Sequence, residues 1–252
     1  MSKHEEFINS PIESVMLEGI SAITPINTGI ETYPLNDYLL KTIFLQMTGF
    51  QEQKFKCIAW EMATEDFEFR RVFLKDYASQ GFSTYDSKKS IYQNLMILLD
   101  RGELSESDRK LIVNESKDII CKIFKESNFQ YWNGNTYIEF KGNIKNKIGY
   151  KGIARKGEGY NLLESEGQKV YDMLYRHRNR LAHNTFSYQR NLPTLHELEN
   201  KEFGDSNYFT WFYILIVIDK IMIKLYNEFN QTNKSLLDMC FIISNRKFRF
   251  IV

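Results

Sequence analysis

The stretch Tyr175-Arg176-His177-Arg178-Asn179-Arg180-Leu181-Ala182-His183-Asn184 gathers groups that do proton and phosphate chemistry. An imidazole, with an ordinary pKa of about 6.5, serves as base or acid at neutral pH. A guanidinium stays charged and grips phosphate oxygens through two parallel hydrogen bonds. His183 and Arg178 therefore supply the two group types that phosphate-ester chemistry needs. On a helix turning about 100° per residue, Asn179 and His183 are four apart and share a face. Arg178 and His183 are five apart and diverge by about 140° on a continuous helix. The spacing thus predicts that His183 sits where the helix ends or bends, with Asn179 orienting it or holding substrate and Arg178 approaching from an adjacent face. His177 shares a stripe with Val170, Leu174 and Leu181, at spacings of four, three and four, and reads as a core or interface histidine. Arg176 and Arg180, four apart, fit either a solvated pair or a phosphate-positioning pair. His4 and His196 have no constellation around them.

Arg178, Asn179, three residues and then His183, with the small Ala182 before the histidine and an aromatic-rich apolar helix after a loop, resembles the Arg-polar-x-x-x-His motif of the HEPN family of ribonucleases. As a helical arrangement the resemblance extends over roughly residues 87 to 230. It implies a metal-independent endoribonuclease with Arg178, His183 and Asn179 as its catalytic residues and no cofactor. Such cleavage needs a base for the 2′-hydroxyl, an acid for the leaving 5′-oxygen and a cation on the phosphorane's developing charge. The implied products carry 2′,3′-cyclic phosphate and 5′-hydroxyl ends. The resemblance further implies a homodimer whose two motifs line one cleft, and a role as a toxin or abortive-infection effector with a cognate antitoxin or regulatory protein as partner. Two other readings stay open: a non-catalytic HEPN module that binds RNA or a nucleotide, and a helical interaction protein in which the motif is accidental.

Charge supports a nucleic-acid partner only through its distribution. The formal net charge is +1, yet Lys141 to Arg190 holds eleven Lys or Arg against four Asp or Glu. Lys141 and Lys145, near Tyr131, Trp132 and Tyr137, would place phosphate-binding lysines beside base-stacking rings. The same aromatics would equally close a loop onto the core. With Arg176 and Arg180 these lysines complete the expected RNA-binding set. The acids form no HExxH or DxDxDG pattern, so no metal site is expected, and Gly157-x-Gly159 is too little for a nucleotide loop.

The elements that must position these residues are helices. Hydrophobic residues at 43% and charged ones at 26% suit a globular chain, and 13 Gly with 4 Pro leave few helix breakers. The expected fold is all-α, a HEPN-like helical bundle with an N-terminal extension and a basic loop insertion. One domain is expected, with an irregular arm over 1–33, a helical core over 34–230 and a tail over 231–252. Periodicity places helices from Asn36 to near Gly49, from about Gln51 to Met62, over Phe67 to Tyr77, from Ile91 to near Gly102, from Ser105 to Phe124, over Leu162 to His183 and over Asn207 to Phe229. Glycine, Asn and Lys between Gln130 and Gly159 read as a loop with a short strand at Thr136 to Phe140, and a second strand is expected at Phe248 to Val252. Cys57, Cys121 and Cys240 lack ligand or disulfide spacing, and the N-terminus has no secretory pattern, so a cytoplasmic protein is expected. Asp219 and Lys220 break the run Trp211 to Ile218, well short of the roughly 18 to 20 apolar residues that span a bilayer.

Overall fold

The computed structural model of the protein describes residues 2–23, 29, 32–65, 68–71, 81–156, 159–183 and 207–248. Among them the chain is mostly helical, with one two-stranded antiparallel hairpin. The helices are α1 (Lys3–Asn9), α2 (Glu13–Ile23), α3 (Tyr33–Glu65), α4 (Tyr85–Leu98), α5 (Glu106–Lys125), α6 (Phe129–Trp132) and α7 (Gly134–Lys147). The hairpin of β1 (Ile153–Lys156) and β2 (Tyr160–Leu163) follows, then α8 (Ser165–Ala182) and α9 (Tyr208–Phe248).

Helix α9 is the axis of the fold. From Phe209 to Ile218 every side chain is buried, because α3, α4, α5, α7 and α8 all pack against this helix. A helix apolar all round belongs inside a bundle. No helix of the described residues is long and apolar enough to cross a membrane. The buried Asn207 sets the start of α9: its Oδ1 accepts from the backbone N–H of Phe209 at 2.9 Å, and its Nδ2 donates to the Thr136 carbonyl on α7 at 2.6 Å. Elsewhere hydroxyl caps do the same work. Ser105 accepts from the Asp108 N–H, with Glu106 and Asp108 in the first turn and Lys122 and Lys125 in the last, matching the dipole of α5.

Several expected boundaries differ. The break at Gly49 is absent, and α3 runs 33 residues without interruption. A mid-helix glycine costs only about 1 kcal/mol, whereas α3 buries Leu40, Ile43, Phe44 and Met47 before it and Phe55, Ile58, Ala59 and Met62 after it. The basic loop insertion with a strand at Thr136 to Phe140 is instead α6, α7 and the hairpin. Here the helical period outweighs the glycines: Tyr137, Phe140 and Ile144 bury one face of α7. Tyr137 stacks on Phe124 with ring centroids 3.8 Å apart and meets the edge of Phe209. The arm over 1–33 contains two helices, α1 and α2, joined at Pro11, which bury Ile8, Ile12, Met16 and Ile20. Leu162 and Leu163 belong to β2, so α8 starts at Ser165. Helix α4 stops at Leu98, and α9 continues past Phe229 through Phe248 into the expected tail. Most of the Phe67 to Tyr77 helix, and 249–252 of the terminal strand, lie outside the described residues.

The hairpin is tied to α4 rather than left free. The Tyr85 hydroxyl donates to the Leu163 carbonyl at 2.8 Å and accepts from the Leu163 N–H at 3.0 Å. Gln93 donates to the Tyr160 carbonyl. Burial pushes the Tyr85 phenol up to about 12. These contacts hold β2 where α8 must begin.

Candidate functional site

Helix α8 carries the motif on its last turns. Its first half buries Val170, Tyr171 and Leu174. Gly167 leaves its Cβ position 3.2 Å from the Leu163 side chain, so the helix starts close against β2. The C-cap is His183, with φ −93° and ψ 10°, and its backbone N–H donates to the Asn179 carbonyl at 3.0 Å. The expected helix end at this histidine is therefore present. The His183 side chain is exposed.

Arg178 points elsewhere. Its Nη2 donates to Glu52 Oε2 on α3 at 3.3 Å, and its Nη1 to Asn179 Oδ1 at 3.2 Å. The Arg178 side chain keeps 27% exposure, so it is reachable from solvent although paired. Neither hydrogen bond goes to His183, in keeping with the five-residue offset. Thr48, Ser83, Lys88, Tyr171, Tyr175 and Arg178 line a small pocket between α3, α4 and α8.

His177 is a packed histidine. Its Nε2 meets the Tyr208 hydroxyl at 2.8 Å, and its ring lies 4.6 Å from Trp211 and 5.5 Å from Phe44. Burial, helped by the positive charges of Arg180 and Lys41 and opposed by the negative charge of Asp37, lowers its pKa to about 4. The unfolded chain, with an imidazole near 6.5, therefore binds a proton at pH 5 that the folded protein does not. Stability supplied by neutral His177 is present above pH 6.5 and is lost as pH falls toward 4. Urea melts between pH 7 and 4.5 should show wild type losing up to about 1.4 kcal/mol per pH unit more than His177→Gln. Parallel pH profiles would contradict this.

The other expected residues are spread over two elements. Arg176 and Arg180 are exposed on α8, and Arg176 draws down the carboxyl of Asp172, which burial raises more strongly. Lys141 is exposed on α7, its Nζ 5.5 Å from the Tyr137 ring. Lys145 lies on the same helix, and its side chain is outside the described set. Tyr137 is buried against Phe124 and Phe209, so that ring closes the core, while Tyr131 is exposed. Among the described residues no group of three His, Cys, Asp or Glu could hold a metal ion.

Sequence reasoning passed over Lys88, Gln51 and Glu52. Lys88 lies on the buried face of α4 with Tyr85, Tyr92 and Leu95; a lysine within an apolar stripe was the available signal. Compared with known proteins, the chain matches no family model, no curated protein and no solved structure. The functional reading therefore rests on the residues alone.

Proposed function

We propose that the protein is a metal-independent endoribonuclease of HEPN type, in which His183 moves protons and Arg178 stabilises the charge on the scissile phosphate. The observation that carries this reading is the exposed imidazole of His183 at the end of the helix whose last turns present Arg178 and Asn179. A group that transfers protons must reach substrate, and a helix C-cap leaves its side chain free to do so. Asn179, one turn before His183, stands on the same face and fixes the turn through its carbonyl.

The active species is a homodimer. Arg178 of one chain faces Glu52 while His183 faces outward, so one chain does not present both groups squarely to a phosphate. Two copies arranged about a two-fold axis would bring each arginine to the other's histidine. Arg176, Arg180, Lys141 and Lys145 guide the backbone of the RNA through charge. The cellular role is that of a toxin or antiviral abortive-infection effector in the cytoplasm, held in check by an antitoxin or regulatory protein.

Bulk RNA incubated with the protein in EDTA should fragment and leave 2′,3′-cyclic phosphate ends, and His183→Ala should leave the RNA intact. RNA untouched by the wild type would end the enzymatic reading. One observation favours a second reading, a non-catalytic module holding the phosphate of RNA or a nucleotide: Arg178 lines a pocket with a second cation, Lys88. RNA binding without cleavage, weakened by salt, would select it.

A further inference from the structure

Lys88 is a buried cation that the motif does not use. Its side chain is 1% exposed. Lysines buried to this degree are ordinarily paired with a carboxylate. Lys88 instead donates to the neutral Gln51 Oε1 at 2.9 Å and faces the rings of Phe55 at 4.6 Å and Tyr171 at 5.8 Å. Two carboxylates act on it through space, and both are committed to other cations. Glu52 gives Oε1 to Lys56 at 3.1 Å and Oε2 to Arg178 at 3.3 Å, while Asp219 holds Lys54. Lys56 and Arg178 thus take up both oxygens of Glu52, Lys88 forms no ion pair among the described residues, and the pocket is short of negative charge.

The shape of the pocket narrows what can supply that charge. Lys88 and Tyr171 are buried, whereas Ser83, Tyr175 and Arg178 are only partly so and stand toward solvent. The enclosed space has room for about one water-sized group. A base or a sugar does not fit, but a single oxygen does.

We propose that this pocket is a phosphate site: one anionic oxygen of an RNA phosphate enters to meet Lys88 Nζ, while Arg178 leaves Glu52 to grip a second oxygen. Glu52 is then the internal stand-in for the phosphate in the free protein. Thr48, Ser83, Tyr171, Leu174 and Tyr175 complete the lining. Burial lowers the Lys88 pKa to about 7, and an arriving anion pairs the charge and holds the proton in place. The assignment rests on the RNA reading for the source of the phosphate, and on Lys88 with Arg178 for the anion.

Two variants test it. Lys88→Met removes the charge at similar volume, and Glu52→Gln releases Arg178. At pH 6 and constant ionic strength, inorganic phosphate exchanged for chloride should raise the wild-type melting midpoint by about 2–4 °C at roughly five times its Kd. Lys88→Met should show no such rise, and Glu52→Gln a larger one at equal concentration. A 2′-O-methyl RNA oligonucleotide, which lacks the attacking hydroxyl, should bind Lys88→Met about tenfold more weakly, with a log–log salt slope shallower by about 0.7. Equal phosphate responses in wild type and Lys88→Met would overturn the pocket whatever the protein does to RNA. A Lys88-dependent phosphate response without RNA binding would keep the anion site and overturn its RNA source. Should Lys88→Met fail to fold, Glu52→Gln decides, and no gain over wild type refutes the proposal.

Discussion

Asp219→Ala is expected to cost about 3–5 kcal/mol of stability, enough to unfold much of a marginally stable chain. Asp219 is 1% exposed and Lys54 fully buried, with Lys54 Nζ 2.6 Å from Asp219 Oδ1. Burial pushes the carboxyl up and the ammonium down, so each keeps its charge through the other and through backbone partners. Lys54 also donates to the Ser10 carbonyl at 2.6 Å, and Asp219 Oδ2 accepts from the Ile12 N–H at 3.0 Å. Removing either side chain strands a buried charge and unties the junction of α1 and α2. Lys54→Ala should therefore cost a similar amount. The double variant Lys54→Met with Asp219→Leu should cost less than either single change, because a buried ion pair is often replaceable by apolar residues of similar volume. A double-mutant cycle by urea denaturation measures this, and single-variant losses under about 1 kcal/mol would show the pair to be dispensable.

His183→Ala and Arg178→Ala should each lower RNA cleavage by about 100-fold or more while leaving the helical circular dichroism signal unchanged. His183 is exposed, so its loss leaves no cavity. Arg178 is a half-buried partner of Glu52, and loss of that ion pair costs roughly 1 kcal/mol or less. Mixing the two inactive variants tests the composite cleft. A heterodimer keeps one intact Arg178 and one intact His183, and a shared cleft unites them, so random exchange should restore roughly a quarter of wild-type activity. No recovery after demonstrated subunit exchange, or a monomer by light scattering at concentrations where RNA is cut, would refute the two-fold arrangement. Loss of folding in both variants would move these residues from chemistry to structure.

The helical class and the end of the motif helix were legible in the sequence because both depend on local pattern. The stripe of Val170, Leu174 and His177 has the helical period, and it placed His177 against the core, where Tyr208 and Trp211 meet it. Segments rich in Gly, Asn and Lys were misread because propensity is weak beside burial. At α7 three apolar residues at helical spacing sufficed, against the aromatic wall of Phe124 and Phe209. The pairing of Arg178 with Glu52 was not legible at all: Glu52 stands 126 residues away in sequence, and nothing local on α3 or α8 announces it. Asp219 is visible in the sequence only as a charge that ends the apolar run Trp211 to Ile218; its role as an ion-pair partner is not, because Lys54 is 165 residues distant.

Three neighbours on one turn of α3 reach into different parts of the molecule. Gln51 holds the Leu215 carbonyl and Lys88, Glu52 holds Arg178, and Lys54 holds Asp219 and Ser10. Each residue step turns a helix by about 100°, so all three grips depend on a single angular setting of α3. The helix acts as a common spindle: the docking of the N-terminal helices and the aim of the motif arginine are set by one rotation, and neither can be adjusted there without the other.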